Sequence, residues 1–356
     1  MNPFKFGTIV EGPFFTDRVE KLAEIKTVMS SANHLVLISP RRFGKSSIVA
    51  KAVGELGRPS ISVNLQSVSS SLDFAQRLIR EVGKIKPFEK FKRSLASLRV
   101  VPSIEINPMS GSIDVSFSAK SDPTIILEDA FELIEKTSSP KKRTIVVLDE
   151  FQEIIDIEDG LDKKLRAILQ TMQNVNFVFL GSQESMMMEI FESKKSPFYH
   201  FGERIHLPKL PHDEFKAYIE AGLQSVCPED TAGYAEEILS FTGCHPYYGQ
   251  QLSFHVWETL KRGESTENLI PSTCNKIVES RDLDFTRLWD TLSRTDRVTI
   301  ILLAQGKNPL MEGTMPTSTA FSAMKRLCKK GFLNKIGTSY EIEDPFFETW
   351  VKDKMV

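Results

Sequence analysis

Features typical of secreted and membrane proteins are scarce in this sequence. It has four cysteines among 356 residues, and they form no Cys-x-x-Cys pair and accompany no histidine cluster. That spacing argues against a disulfide framework and a zinc site, so we expect reduced thiols. No apolar run approaches the roughly 18 residues that cross a bilayer, and residues 1–15 lack a basic segment followed by a long apolar core. We therefore expect a cytoplasmic protein with no membrane partner.

An excess of charge of one sign is also missing. The chain has 45 Lys and Arg against 47 Asp and Glu, which gives a formal net charge of −2. No global field would attract nucleic acid or an anionic membrane, so such a contact would need a local patch. The hydrophobic share of 41% is ordinary for a globular protein, and the length allows two or three domains with a sizeable core.

Residues 1–210 alternate short β-rich runs with longer helical runs. This alternation is typical of a mostly parallel sheet covered by helices, and it predicts an α/β fold. The predicted strands are 35–39, 60–65, 144–149, 177–181 and 204–207. The predicted helices are 17–29, 46–56, 72–84, 124–136 and 161–172.

Residues 103–119 depart from that rhythm. Apolar side chains alternate on both sides of a turn-like segment, which contains Asn107, Pro108 and Gly111. The pattern predicts an inserted β-hairpin. A docking surface and a purely structural surface hairpin are both consistent with it.

Strand signals stop near residue 211, and amphipathic helices follow at 213–226, 231–241, 247–262 and 272–281. We expect residues 211–282 to form a small helical domain. Residues 283–356 contain two further helices, a helix at 319–330 with residues 316–318 as its cap, and strands at 332–336 and 340–342. Three helices followed by a hairpin predict a winged helix-turn-helix.

A phosphate-binding loop is predicted between the first strand and the second helix. Backbone N–H groups around Gly44 would turn inward on a triphosphate, Lys45 would bridge the outer phosphates, and the Ser46 hydroxyl would reach Mg²⁺. The start of the helix would add its positive dipole end. The usual first glycine of this motif is replaced by Ser39. The residues predicted to bind ATP or GTP are Pro40, Arg41, Arg42, Phe43, Gly44, Lys45, Ser46 and Ser47.

Two adjacent carboxylates end the predicted strand at 144–149. Asp149 could accept a hydrogen bond from Mg²⁺-bound water, and Glu150 could align a water on the γ-phosphate. The alternative is that both acids meet solvent at a strand end. In this class of sheet the strand at 177–181 would lie between the strand carrying the loop and the strand carrying Asp149. Ser182 or Gln183 would then contact the phosphate or the attacking water, unless either residue only opens a loop.

Three arginines are further candidates. Arg204 could reach the γ-phosphate within one chain or from a neighbouring subunit, because a guanidinium stabilises charge on the equatorial oxygens. A surface salt bridge with Glu203 or Glu184 is the alternative. Of Arg41 and Arg42, one is a candidate phosphate ligand and the other could be merely solvated.

Two aromatic segments allow functional and structural interpretations. The arm at residues 2–18 could cover an adenine ring, or its phenylalanines could be core packing. The turn at residues 243–248 could fold over the nucleotide base, although His245 could be structural and Pro246 could simply start a helix.

Basic residues gather on the predicted helix at 319–330 and on the following strand. They could bind duplex DNA through the major groove, or they could form a solvated face of a protein-interaction module. An acidic strip at residues 341–344 weakens the DNA interpretation. The basic residues are Lys325, Arg326, Lys329, Lys330 and Lys335.

Over nearly its whole length the chain resembles the archaeal-type ATPase family of predicted AAA+ proteins, within the signal-transduction P-loop NTPases with numerous domains. The resemblance rests on six ordered blocks: residues 40–46, 148–152, 181–182, 196–199, 243–248 and 340–350.

The resemblance implies ATP and Mg²⁺ at Lys45, Ser46 and Asp149, hydrolysis aided by Glu150, and a sensing role for Ser182. It also implies that the helical domain, with Pro246 at the nucleotide, is a lid that moves together with the winged helix. We therefore expect a slowly hydrolysing regulatory ATPase with an unknown protein partner. The alternatives are a DNA-binding ATPase that uses the winged helix, and a nucleotide-gated scaffold with negligible hydrolysis.

Overall fold

The computed structural model describes residues 1–10, 12–16, 18–106, 109, 113–227, 229–264 and 267–356. The chain divides into two compact units. The sheet unit comprises Val19–Ser39 and Lys45–Leu207, and the helical unit comprises Met1–Arg18, Pro40–Gly44 and Pro208–Val356. Residues 40–44, which lie within the predicted phosphate loop, therefore belong to the helical unit.

The sheet unit contains seven strands and eight helices in its described part. The strands are β1 Leu35–Ile38, β2 Ser60–Asn64, β3 Ser103–Ile106, β4 Ile113–Ser116, β5 Thr144–Asp149, β6 Val175–Gly181 and β7 Glu203–His206. The helices are α1 Val19–Ser30, α2 Lys45–Leu56, α3 Ser71–Ile85, α4 Phe88–Leu95, α5 Pro123–Thr137, α6 Ile154–Ile157, α7 Leu161–Leu169 and α8 Glu184–Glu192. Short 3₁₀ turns lie at Leu65–Ser67 and Phe151–Glu153.

Five parallel strands form the main sheet in the order β2-β5-β6-β1-β7. Every residue of β1 and β6 is buried, as expected for strands in the middle of a parallel sheet that helices cover on both faces. This arrangement confirms the predicted α/β fold. It also confirms that the strand carrying Phe177 lies between the strand before the loop and the strand carrying Asp149.

Four phenylalanines form a cluster within the core of this unit. The rings of Phe151, Phe179, Phe191 and Phe198 contact one another with centroids 4.6–5.9 Å apart, mostly edge to face. Such pairs favour fixed ring orientations, so this cluster fixes the segment that follows β5.

Each predicted strand and helix of the main sheet is present, with ends shifted by no more than three residues. Asp17, the predicted start of the first helix, lies outside the described residues. The hairpin is present as antiparallel β3 and β4, while residues 107, 108, 110 and 111 of its predicted turn lie outside the described residues. Helices α4, α6 and α8 were not predicted.

The helical unit has eight helices and one hairpin in its described part. The helices are α9 His212–Leu223, α10 Thr231–Thr242, α11 Pro246–Lys261, α12 Leu269–Ser280, α13 Asp282–Asp290, α14 Arg294–Ala304, α15 Thr317–Lys329 and α16 Pro345–Met355. Antiparallel strands β8 Leu333–Ile336 and β9 Ser339–Ile342 lie between α15 and α16. A 3₁₀ turn spans Gly12–Phe14. One hydrophobic core runs from Phe4 through α9–α12 to the aromatic residues of α16.

The predicted cap of α15 is wrong. The helix begins at Thr317 after Pro316, and no side chain of the described residues caps it. A capping box occurs instead at α14, where the Asp296 backbone N–H donates to Ser293 Oγ and the Ser293 N–H donates to the Asp296 carboxylate. No helix in the described ranges is long and apolar enough to cross a membrane.

The carboxylate of Asp296 also pairs with basic side chains at the C-terminal end of α15. It is completely buried, and it accepts from Arg326 Nε at 3.0 Å and Arg326 Nη2 at 2.5 Å, with Lys330 Nζ at 3.7 Å. Two of the four basic residues predicted to lie together on this helix are therefore paired within the chain.

Replacing Asp296 by Ala should lower the free energy of unfolding by about 2 kcal/mol, because α14 loses its capping box and Arg326 loses its acceptor. Arg326→Ala should cost less, about 1 kcal/mol, because the capping box and Lys330 remain and truncation of the 42% exposed Arg326 side chain opens the Asp296 carboxylate to water. Urea unfolding of both variants measures the difference. A loss in Asp296→Ala no larger than that in Arg326→Ala would contradict this account.

Candidate functional site

The loop between β1 and α2 has an unusual backbone. Arg42 has φ +63° and Gly44 has φ +84°, both in the left-handed region. Alternation of ordinary and left-handed residues turns successive N–H groups toward one concavity, which suits an anion. Glycine adopts this conformation without strain, so it fits position 44, whereas Arg42 occupies the region at a cost.

Lys45 is the first residue of α2, and its side chain is nearly fully buried. Its ammonium group donates to the Ser39 carbonyl oxygen at 2.8 Å. A buried ammonium group held by a backbone carbonyl is kept close to the loop.

Ser46 and Asp149 lie side by side. The Ser46 hydroxyl donates to Asp149 Oδ2 at 3.0 Å, which joins the start of α2 to the carboxyl end of β5. Burial is the main cause that raises the pKa of Asp149, and the neighbouring Glu150 charge adds to it. Oxygen donors of this kind suit Mg²⁺, which takes one or two protein ligands and completes its shell with phosphate and water. The two residues therefore fit the predicted ion.

Glu150 is held by the next strand. It has φ +52°, and its Oε2 accepts from Ser182 Oγ at 2.7 Å and from the Ser182 N–H at 3.3 Å. The side-chain amide of Gln152 donates to the same oxygen at 2.5 Å. Because β5 and β6 are neighbours, their carboxyl ends bring these groups together.

Gln152 is a site residue that the sequence reasoning missed. It is fully buried, and its Oε1 has no hydrogen-bond partner among the described residues. The sequence signal was a glutamine close to Phe151 and the isoleucines of α6. Such apolar neighbours indicate burial, and a buried amide requires hydrogen-bond partners.

Arg204 pairs with Glu192 of α8, with Nη1 and Oε1 2.6 Å apart. The predicted salt bridge is present, but its partner is neither Glu203 nor Glu184. The partner was missed because α8 was not predicted, and Glu192 is the last residue of that helix. Gln183 is the residue before α8 and makes no side-chain cap with the described residues.

In the helical unit, Arg42 contacts two tyrosines of α11. Its Nη1 donates to Tyr248 Oη at 2.8 Å, and its guanidinium lies over the Tyr247 ring at 4.7 Å. The Tyr248 hydroxyl donates in turn to Glu343 Oε2 at 2.7 Å. Arg42 is therefore not merely solvated.

His245 and Pro246 start α11. Pro246 is the first helical residue, and His245 is the N-cap, whose ring accepts from the Tyr247 N–H at 3.2 Å. Burial lowers the pKa of His245 to about 3, so the ring is neutral at ordinary pH. Phe43 packs edge to face on this ring.

The N-terminal arm packs inside the helical unit. Phe4 contacts Tyr218, Phe6 contacts Phe254, and Arg18 Nη2 donates to the Phe43 carbonyl oxygen at 3.0 Å. These contacts agree with the interpretation in which the phenylalanines of this arm are core packing.

Glu343 should make stability depend on pH. Burial raises its pKa from 4.5 to about 7, against the opposing effects of Tyr248 and Arg42. The folded carboxyl group keeps its proton where the unfolded one has lost it, so the free energy of unfolding should fall as pH rises from 4.5 to about 7. Glu343→Gln should lack this component.

Urea unfolding at about pH 5 and about pH 7.5 measures it. Asp353→Asn, a change at an exposed carboxylate of α16, is the matched control and should follow the wild type. The same pH dependence in Glu343→Gln and in the wild type would rule out this assignment.

The fold is shared with solved structures of other proteins. The chain is similar to a Walker-type ATPase of Pyrococcus abyssi, with a TM-score of 0.68 and 17% identity over 98% of this chain and 99% of that chain. It is also similar to the ORC2 protein of Aeropyrum pernix in its ADPNP and ADP complexes, with a TM-score of 0.56 and 12% identity over 99% of both chains. At these identities the likeness concerns the fold. No curated protein matches.

A family model described as an ATPase domain predominantly from Archaea matches residues 15–252. The match includes the loop, both strand-end carboxylates and the turn before α11, and it confirms the predicted family. The protein belongs to the family of ATPase domains found predominantly in Archaea.

Proposed function

We propose that this protein binds ATP with Mg²⁺ and hydrolyses it slowly, as a regulatory ATPase. The observation that carries the proposal is the 3.0 Å contact between Ser46 Oγ and Asp149 Oδ2. This contact supports the proposal because both groups are oxygen donors of the kind that Mg²⁺ takes. They lie at the carboxyl ends of parallel strands, where ligands bind in open α/β sheets, and Lys45 directly precedes Ser46. Family membership favours ATP over GTP.

In this proposal Lys45 leaves the Ser39 carbonyl oxygen and binds the outer phosphates. Ser46 and Asp149 would hold Mg²⁺, which would supply charge neutralisation on the phosphate oxygens. Donors from Ser182 and Gln152 fix Glu150 through Oε2, so we assign to Oε1 the alignment of a water for in-line attack. Arg204 is left out of this mechanism because Glu192 neutralises it.

We further propose that α9–α12 form a lid, and that α13–α16 with the β8–β9 hairpin form a winged helix-turn-helix, both responding to nucleotide state. Pro246 belongs to this lid. Support comes from the position of residues 40–44 within the helical unit. A loop that contacts phosphate and also packs with the helices could transmit the state of one to the other.

Duplex DNA is a less favoured partner. Asp296 pairs with Arg326 and Lys330, so the remaining cations on α15 are Lys325 and Lys329. Affinity for DNA grows with the number of phosphates neutralised, and this face offers few. A protein partner is therefore the preferred interpretation of the helical unit.

The first test separates nucleotide binding from chemistry. Lys45→Ala should abolish ATP binding, since the phosphates lose their buried counter-charge, while Lys51→Ala on the same helix should leave binding unchanged. Glu150→Gln should keep ATP affinity and lower turnover by about 100-fold or more. Calorimetric titration and phosphate release measure the two quantities. Glu189→Gln, at an exposed acid of α8, is the control for Glu150.

Retention of binding by Lys45→Ala would contradict the site. Equal turnover in Glu150→Gln and the wild type would instead favour the scaffold with negligible hydrolysis, in which bound nucleotide is structural.

Ser182→Ala should lower kcat by about tenfold with little change in KM, because Glu150 loses its 2.7 Å donor but the phosphate contacts remain. Ser185→Ala, at an exposed hydroxyl of α8, is the control. Steady-state phosphate release at saturating and limiting ATP separates the two constants. A rise in KM alone would show that Ser182 binds the phosphate and does not orient Glu150.

A further inference from the structure

The side chain of Arg42 extends from the phosphate loop into a polar chain of the helical unit. The chain runs from the Arg42 guanidinium to Tyr248 Oη at 2.8 Å, and from Tyr248 Oη to Glu343 Oε2 at 2.7 Å. Its members come from residues 40–44, from the first turn of α11, and from the segment between β9 and α16.

These groups are arranged so that one charge offsets another. Glu343 is largely buried, and its second carboxylate oxygen faces His245 Nε2 at 3.8 Å without a hydrogen bond. The neighbouring Asp344 is already paired with Arg281 at 2.9 Å. Arg42 is thus the cation that Tyr248 connects to Glu343, and it offsets the charge of this largely buried carboxyl group when the group loses its proton.

The contacts use one donor and the face of the Arg42 guanidinium. One donor is bound to Tyr248, and the plane is stacked on Tyr247 with the Tyr248 ring at 5.9 Å. A side chain held in this way is directed to the tyrosines and not to a phosphate. This geometry favours an indirect role for Arg42 over its role as a phosphate ligand.

The contacts of the Arg42 side chain matter because they also hold its backbone. An arginine at φ +63° is strained, and a free loop would relieve the strain by leaving the left-handed region. The left-handed conformation is also the one that turns the loop N–H groups inward. Fixing the side chain therefore fixes the part of the loop that would receive phosphate.

We propose that Tyr248 and Glu343 are positioning residues for the phosphate loop, which they hold in its anion-binding conformation through Arg42. The nucleotide affinity of the loop then depends on the segment between β9 and α16. This inference rests on the proposed function, because it assumes that the loop binds ATP. It adds that the C-terminal part of the chain sets how tightly ATP is bound.

Tyr248→Phe is the sharpest test, because it removes the hydroxyl that bonds to both Arg42 and Glu343 and keeps the packed ring. Titration with ATP and Mg²⁺ should show an affinity about tenfold weaker than that of the wild type, with kcat unchanged. Tyr247→Phe keeps the ring that stacks on Arg42, and it should bind like the wild type. Equal affinity in the two tyrosine variants and the wild type would overturn the proposal.

A double-mutant cycle tests whether Arg42 is the intermediary. Arg42→Ala should weaken ATP binding, and adding Tyr248→Phe to it should cost nothing more. Arg42→Gly should lose less than Arg42→Ala, because glycine relieves the backbone strain that alanine keeps. Additive losses, or equal losses in the Gly and Ala variants, would show that Arg42 contacts phosphate directly.

Hydrogen exchange separates this proposal from the proposed function. In protein without nucleotide, Tyr248→Phe should speed exchange of the amides at residues 40–44, and Tyr247→Phe should not. This readout decides the positioning role even if wild-type protein fails to bind ATP, a failure that would refute the proposed function alone. Unchanged exchange in Tyr248→Phe would overturn the positioning role.

A second pair of variants tests the proposal independently, in case Tyr248→Phe does not fold. Glu343→Gln keeps an acceptor for the Tyr248 hydroxyl, whereas Glu343→Ala removes it. Affinity near that of the wild type in the Gln variant and weakened affinity in the Ala variant would support the polar chain. Equal affinity in both variants would count against it.

Discussion

Parallel pairing of β5, β6 and β1 is the constraint on which the candidate site depends. Parallel strands present their carboxyl ends at one edge of a sheet, so residues far apart in sequence arrive there together. Asp149 ends β5, Ser182 follows β6, and the loop at residues 39–44 follows β1. Burial of the middle strands on both faces makes a slip in register costly, because the side chains would lose the close-packed neighbours that they have on each face.

The two carboxylates at the end of β5 have different environments, although they are adjacent. Asp149 is partly buried beside the Ser46 hydroxyl, a suitable setting for binding a cation. Glu150 has a left-handed backbone and bonds to donors from β6 and from its own 3₁₀ turn. Neighbouring residues can take separate roles because the backbone reverses between them and aims the second side chain at a different strand. The strain at Glu150 is offset by those bonds.

Local patterns were enough to predict the main sheet, the loop and both strand-end acids. Each depends on residues close in sequence, such as an apolar run followed by Gly-Lys-Ser. Contacts between distant residues were not predictable in this way: Arg42 and Tyr248 are 206 positions apart, and Tyr248 and Glu343 are 95 apart. The ion pair of Arg204 was missed because α8 was missed, and Gln152 was missed because its amide acts only once the chain has turned after β5.

Asp296 shows how one buried acid restricts the substitutions that the surface of the helical unit can accept. The same carboxylate caps the start of α14 and pairs with two cations, Arg326 of α15 and Lys330 directly after it. Replacing Asp296 to free those cations would also remove the cap of α14, because the same carboxylate accepts from the Ser293 N–H. A descendant of this chain that gained a strongly basic face here would need to evolve a new helix start first, so the order of mutations would be constrained by stability.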